Sequence, residues 1–198
     1  NLGASAETLR AVGVQSLENG AANLQSLPPK VQTVIRSRLE QLSQPARELA
    51  GVAATIGRRF TFTVIARASQ IEEEELVNAL DELWQRRIVR EQGGDAYDFA
   101  HDRIREVAYQ SLSKVRRRLL HRRVAEALEM VNAAKLDEIS VELAVHYEQA
   151  ALLDKATLYW QRASAQAVAH YAQRAAIDYL SRALDLLPED ADEQRYRL

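Results

Sequence analysis

The chain has 198 residues, 47% hydrophobic and 27% charged, with a formal net charge of −2 at pH 7. That is globular composition, long enough for one or two small domains, and its near balance sets up no overall field that would draw nucleic acid or a membrane surface. The absence of cysteine excludes disulfides and thiolate chemistry and fits a reducing, cytoplasmic setting, and no apolar run reaches membrane-span length.

Leucine, alanine, arginine and glutamate dominate, whereas glycine (seven) and proline (four) are scarce, which points to a mainly α fold. The chain begins at Asn1 rather than methionine, carries no signal peptide, and ends in EQRYRL, which reads as an unfinished helix. The expectation is a piece of something larger.

Residues 1–27 hold three glycines and weak periodicity, with AETLRAV (6–12) as one short helix. Pro28 and Pro29 suit a first helical turn. Val31, Val34, Ile35, Arg38, Leu39 and Leu42 then keep helical spacing to residue 43. Pro45 opens a second helix that Gly57 ends, and Thr61 or Thr63 caps a short one over 64–69. Residues 71–87 predict a strong helix: acidic first turn (Glu72 to Glu75), apolar Leu76, Leu80, Leu83 and Trp84, basic last turn (Arg86, Arg87).

The pattern then changes. RIVRE (87–91) and YDF (97–99) are strand-like, and Gly93-Gly94 between them allows a tight reversal. Three helices and a hairpin is the element order of a winged helix. The next helix keeps Ile104, Val107, Ala108 and Leu112 on one stripe, and another runs from about 114 to 133 with Val115, Leu119, Leu120 and Val124 as its stripe. From 138 onward everything reads as helix. ATLYWQRA (156–163) and AIDYLSRA (176–183) echo each other twenty residues apart, placing Ala156, Tyr159 and Ala163 against Ala176, Tyr179 and Ala183. Small residues with a tyrosine between them are the grammar of tetratricopeptide-like helix pairs, although twenty is not their period.

No catalytic apparatus emerges. There is no G-x-x-x-x-G-K-[ST]; Gly51 and Gly57 are six apart and lie in and at the end of a helix. The four histidines, His101, His121, His146 and His170, are far apart and without metal-ligand spacing, so no metal site is expected. No G-x-S-x-G is present. SKVRRRLLHRR (113–123) concentrates Lys114, Arg116, Arg117, Arg118, Arg122 and Arg123 without an acid. It reads either as a phosphate or partner contact or, more simply, as the solvated face of an amphipathic helix. A DNA-reading winged helix would need a basic third helix, and residues 71–87 are acidic instead. His101-Asp102 stands where a strand meets a helix. Asp102 is a good cap, and a histidine beside a helix start can donate to an anion held there or, as the local sequence alone favours, simply fill the hairpin corner.

Six words in order resemble one family: LPPKVQTVIRSRLEQLS (27–43), ARELAGVAATIGRRFTF (46–62), LVNALDELWQRRIV (76–89), YDFAHDRIREVAYQSL (97–112), RRRLLHRRVAEALE (116–129) and LAVHYEQAA (143–151). Together they resemble the region after the nucleotide-binding domain of STAND-type signalling ATPases (signal transduction ATPases with numerous domains). The likeness is to large bacterial regulatory ATPases in which a winged helix and tetratricopeptide-like repeats follow the core. The resemblance implies a remnant or linker at 1–27, a winged helix at 28–112, a connecting helix at 113–135 and helical repeats at 136–198. It implies that Ala100-His101-Asp102 stands at the family's methionine–histidine–aspartate motif, with His101 sensing bound ADP and Asp102 organising it. ADP or ATP with magnesium would belong to the intact protein, the upstream NTPase domain and an effector at the repeats being the partners. The family's asparagine–proline and apolar residues before ETLR are replaced by NLGASAETLR (1–10). The alternatives are a DNA-binding winged-helix transcriptional regulator and a repeat scaffold that only binds proteins.

Overall fold

The computed structural model describes residues 29–187. The expectations for residues 1–27 and for EQRYRL lie outside the described residues. Among the described residues the chain is mainly helical, with a small three-stranded antiparallel sheet, and it divides into two compact units at Ala127/Leu128.

The first unit starts with α1 (Pro29–Glu40), whose Ile35 and Leu39 are buried together with Leu42 just beyond it. Val31 and Val34, expected on the same stripe, are 42% and 60% exposed. Ser43 caps α2 (Gln44–Ile56), its Oγ accepting from Ala46 N at 3.3 Å, with Pro45 in the first turn. Every residue of α2 from Leu49 to Ile56 is buried, so this helix is the core of the unit. Gly51 leaves room for one close neighbour: a Cβ there would stand 2.9 Å from Leu112 Cδ2.

Sequence periodicity gave no hint of β1 (Arg59–Thr61). Thr61 ends it and caps α3 (Phe62–Ser69) through Val64 N, so that helix starts two residues earlier than expected. The strong helix is α4 (Glu73–Gln85), shorter than 71–87; Arg86 and Arg87, expected in its last turn, lie just past it. Leu76, Ala79, Leu80 and Leu83 are buried, but Trp84 is 52% exposed. Each step of four residues overshoots a full turn by about 40°, so 76–80–84 walks off the buried face.

Then come β2 (Val89–Glu91) and β3 (Ala96–Phe99), joined through Gly93 and Gly94 at φ 88° and 62°, which glycine adopts without strain. The strand order is β1-β3-β2, all antiparallel. Register places Arg59, Asp98 and Arg90 in one row and Phe60, Tyr97 and Glu91 in the next. Phe60 stacks on Tyr97 with centroids 5.8 Å apart and meets Phe99 edge-on at 6.2 Å. α5 (Asp102–Gln110) buries Ile104, Val107 and Ala108, as its stripe predicts. In α6 (Lys114–Val131) the stripe is shifted: Leu120, His121, Val124 and Ala125 are buried and Val115 is 81% exposed.

The second unit holds a 3-10 turn (Leu136–Ile139) and the helices α7 (Ser140–Gln149), α8 (Leu153–Ala169) and α9 (Gln173–Asp185). α8 packs on both α7 and α9. Both connections turn through a left-handed residue, Ala151 (φ 54°) and Tyr171 (φ 58°), again twenty residues apart. In each, the next amide reaches back five residues: Leu152 N to Tyr147 O and Ala172 N to Ala167 O.

Candidate functional site at the hairpin–helix junction

β3 carries the chain straight into His101. Phe99 N donates to Arg58 O at 3.1 Å and Ala100 N to Ile88 O at 3.0 Å, so the strand is held from both sides up to the junction. His101 keeps the extended backbone (φ −147°, ψ 141°), and its carbonyl accepts from Ile104 N at 3.0 Å. The N-cap is therefore His101, whereas the sequence pointed to Asp102 as the capping residue. The extended run of β3 simply continues one residue further than expected. The imidazole makes no capping bond and is exposed.

Asp102, in the first turn, accepts from Arg58 Nη1 at 3.1 Å, both side chains being about half exposed. Beside them Arg90 grips Asp98 with two hydrogen bonds, Nε to Oδ1 at 2.7 Å and Nη2 to Oδ2 at 3.1 Å. Burial works against the charge on Asp98, but hydrogen bonds from Arg90 and Gln92 and the nearby Arg90 and Arg58 outweigh it, holding the carboxyl below its ordinary value. Arg103 pairs with Glu106 at 2.9 Å. Arg105 is 5% exposed, and burial lowers its pKa against the opposing pull of Glu106 and Asp102. The junction is thus an exposed imidazole at a helix start, where free amide hydrogens favour an anion, with a guanidinium 3.1 Å from the first helical carboxylate. Such a group can donate hydrogen bonds to an oxyanion. Sequence reasoning missed Arg58, whose seat beside Asp102 depends on β1 pairing with a strand far along the chain, and the Arg90–Asp98 clamp, a cross-strand pair that only the register of the β2–β3 hairpin reveals.

The basic run is not one surface. Arg117 Nε and Nη2 donate to the carbonyls of Tyr109 and Gln110 at 3.1 and 3.0 Å, and its guanidinium lies 4.7 Å over the Tyr109 ring. It finishes α5 by satisfying carbonyls that a helix end leaves open. Arg116 pairs with Glu48 at 3.6 Å and Arg122 with Glu126 at 3.9 Å; Arg118 is exposed and Arg123 half-buried. Arg117 is seated at the far end of α5 from His101, about 12 Å along the helix axis, so the two sets do not form one site.

No family model matches the chain. No solved structure matches it either. An uncharacterized protein of Rhizobium meliloti (strain 1021) is 32% identical over 161 residues, which is 78% of this chain and 15% of that protein. The chain therefore spans a small part of the length of the curated relative it matches.

In the second unit Ala156, Ala163, Ala176 and Ala183 are all buried, and Ser164 Oγ donates to Ala176 O at 3.1 Å where α8 meets α9. Tyr179 stacks on Trp160 with centroids 5.5 Å apart. Tyr159 stacks on Tyr147 at 5.7 Å and donates to Glu129, which also accepts from Lys155 at 3.0 Å. Burial, then the bond and charge of Glu129, push Tyr159 up to about 12. Burial opposes the charge on Glu129, but the Tyr147, Tyr159 and Lys155 donors prevail and lower its pKa. These residues are fully engaged with each other and act as a staple between helices. Among the described residues there is no group of three or more histidine, aspartate or glutamate side chains that could hold a metal, and no helix long and apolar enough to cross a membrane.

Proposed function

We propose that this chain is a non-catalytic regulatory region of a STAND-type signalling ATPase: a winged helix that senses the nucleotide state of an NTPase domain, followed by tetratricopeptide-like repeats that receive a protein or small effector. The exposed, uncapped imidazole of His101 at the start of α5 carries this reading. The element order of the first unit, the twenty-residue echo of the second and a relative several times longer all support it. The acidic start of α4, Glu73 to Glu75, argues against a winged helix that reads DNA.

The setting would be cytoplasmic. His101 fits as a donor to a terminal phosphate of bound ADP, with Arg58 and Asp102 fixing the electrostatics around it. Magnesium and the remainder of the nucleotide fit the residues here less well and would be held by the NTPase domain. The nucleotide, when bound, supplies the charge that closes the switch.

A hydrogen bond to a charged phosphate contributes about 1.5–3 kcal/mol, a coupling of roughly 10–150-fold. In the intact protein His101→Ala therefore speeds ADP release by about that factor and raises basal output. ADP release at the parent rate would remove the sensor. This chain alone is expected to bind ADP weakly or not at all by calorimetry.

A further inference from the structure

Two helix faces of the first unit, neither used above, are complementary. On α4, Val77 and Trp84 are 42% and 52% exposed along the flank of the stripe that buries Leu76, Leu80 and Leu83. Glu73 and Asp81, both exposed, stand one four-residue step to either side of Val77, and Trp84 follows just past Asp81. A tryptophan half in water within an acidic frame is an anchor without a pocket. On α6, Arg116 and Arg117 are turned to the body of the unit, toward Glu48 and the end of α5. Lys114, Arg118 and Arg122 stand at the same four-residue step on the outer side, around Val115, which is 81% exposed.

We propose that the Glu73–Trp84 face of α4 docks on the Lys114–Arg122 face of α6 in a second copy of this chain. Residues 73, 77 and 81, like 114, 118 and 122, cover about 12 Å of helix, so the two rows match in length. Run antiparallel, Glu73 meets Arg122 and Asp81 meets Lys114. The stem of Arg118 lies on Val77, and Val115 reaches Trp84. Rows at four-residue spacing are the ones that interdigitate when helices cross. Arg122 gives up only its half-exposed, 3.9 Å contact with Glu126. If α4 of each copy meets α6 of the other, the pair closes on itself with two such contacts. The inference is independent of any nucleotide.

Sedimentation velocity of the whole 198-residue chain tests it. The contact is small, so a Kd on the order of 10–100 µM is expected at about 50 mM salt, weakening at least tenfold near 500 mM. Trp84→Ala loses about tenfold or more. The double variants Glu73→Lys with Asp81→Lys, and Lys114→Glu with Arg122→Glu, are each monomeric alone and associate when mixed. Asp81→Lys, mid-helix and exposed, stands in for the first pair should that variant lose helicity; its complement is Lys114→Glu alone, and mixing those two single variants restores the association that each loses by itself. A chain that stays monomeric to about 500 µM at low salt, an association indifferent to these reversals, or a mixture that fails to assemble overturns the proposal.

Discussion

His121 shares a hydrogen bond with Tyr109 Oη at 2.8 Å, and the two rings meet edge-on 5.7 Å apart. It is 2% exposed, and burial, helped by the charge of Arg117, lowers its pKa to about 4. The fold thus holds this imidazole neutral while the unfolded chain protonates near 6.5. Stability is complete above that value and falls as pH drops through the window from about 6.5 to about 4, by about 3 kcal/mol in all. Urea unfolding at pH 7 and pH 4.5 should show most of that loss, and His121→Gln, neutral at both, should flatten it. In the sequence this histidine sits within a run of arginines, and no spacing there marks it for the core. Side chains on one turn of a helix face different ways, and only the packed structure says that 121 points inward while 118 and 122 point out.

Helix positions were legible wherever caps and apolar stripes agreed. Pro45 and Gly57 frame α2 as expected, Ser43 adds a cap not expected from the sequence, and Thr61 was one of two expected caps for α3. The ends of α4 were not, because Arg87 already adopts φ 54° and its neighbour Ile88 N reaches back to Leu83 O. No glycine marks that turn, nor those at Ala151 and Tyr171. A left-handed alanine is strained by about 1–2 kcal/mol, part of which glycine forfeits through unfolded-state entropy. Ala151→Gly is therefore expected to raise the stability of the second unit by about 0.5–1 kcal/mol, read as a higher thermal midpoint in circular dichroism. An unchanged or lower midpoint would mean that the turn relaxes elsewhere. β1 stayed hidden for a different reason: three residues cannot display a period, and its pairing partner is set by tertiary structure.

Over the whole molecule, 26 basic and 28 acidic side chains nearly cancel, and what counts is where they fall. Acids gather at the start of α4, and the arginines of α6 divide between the body of the unit and its outside. Fluorescence anisotropy with a labelled duplex should stay flat up to about 10 µM chain at about 50 mM salt; tight, salt-sensitive binding would favour a DNA-binding protein instead. The broad class, mainly helical with one small β element, was legible in composition and periodicity. The junction was half legible: His101 and Asp102 were, but their setting among Arg58, Arg90 and Asp98 needed three strands brought together. That setting also limits what the histidine can do. With β3 stitched to β1 on one side and β2 on the other up to Ala100, the ring can swivel about its own two torsions, but its Cα has nowhere to slide. Any larger excursion of the imidazole must carry all three strands along as one plate.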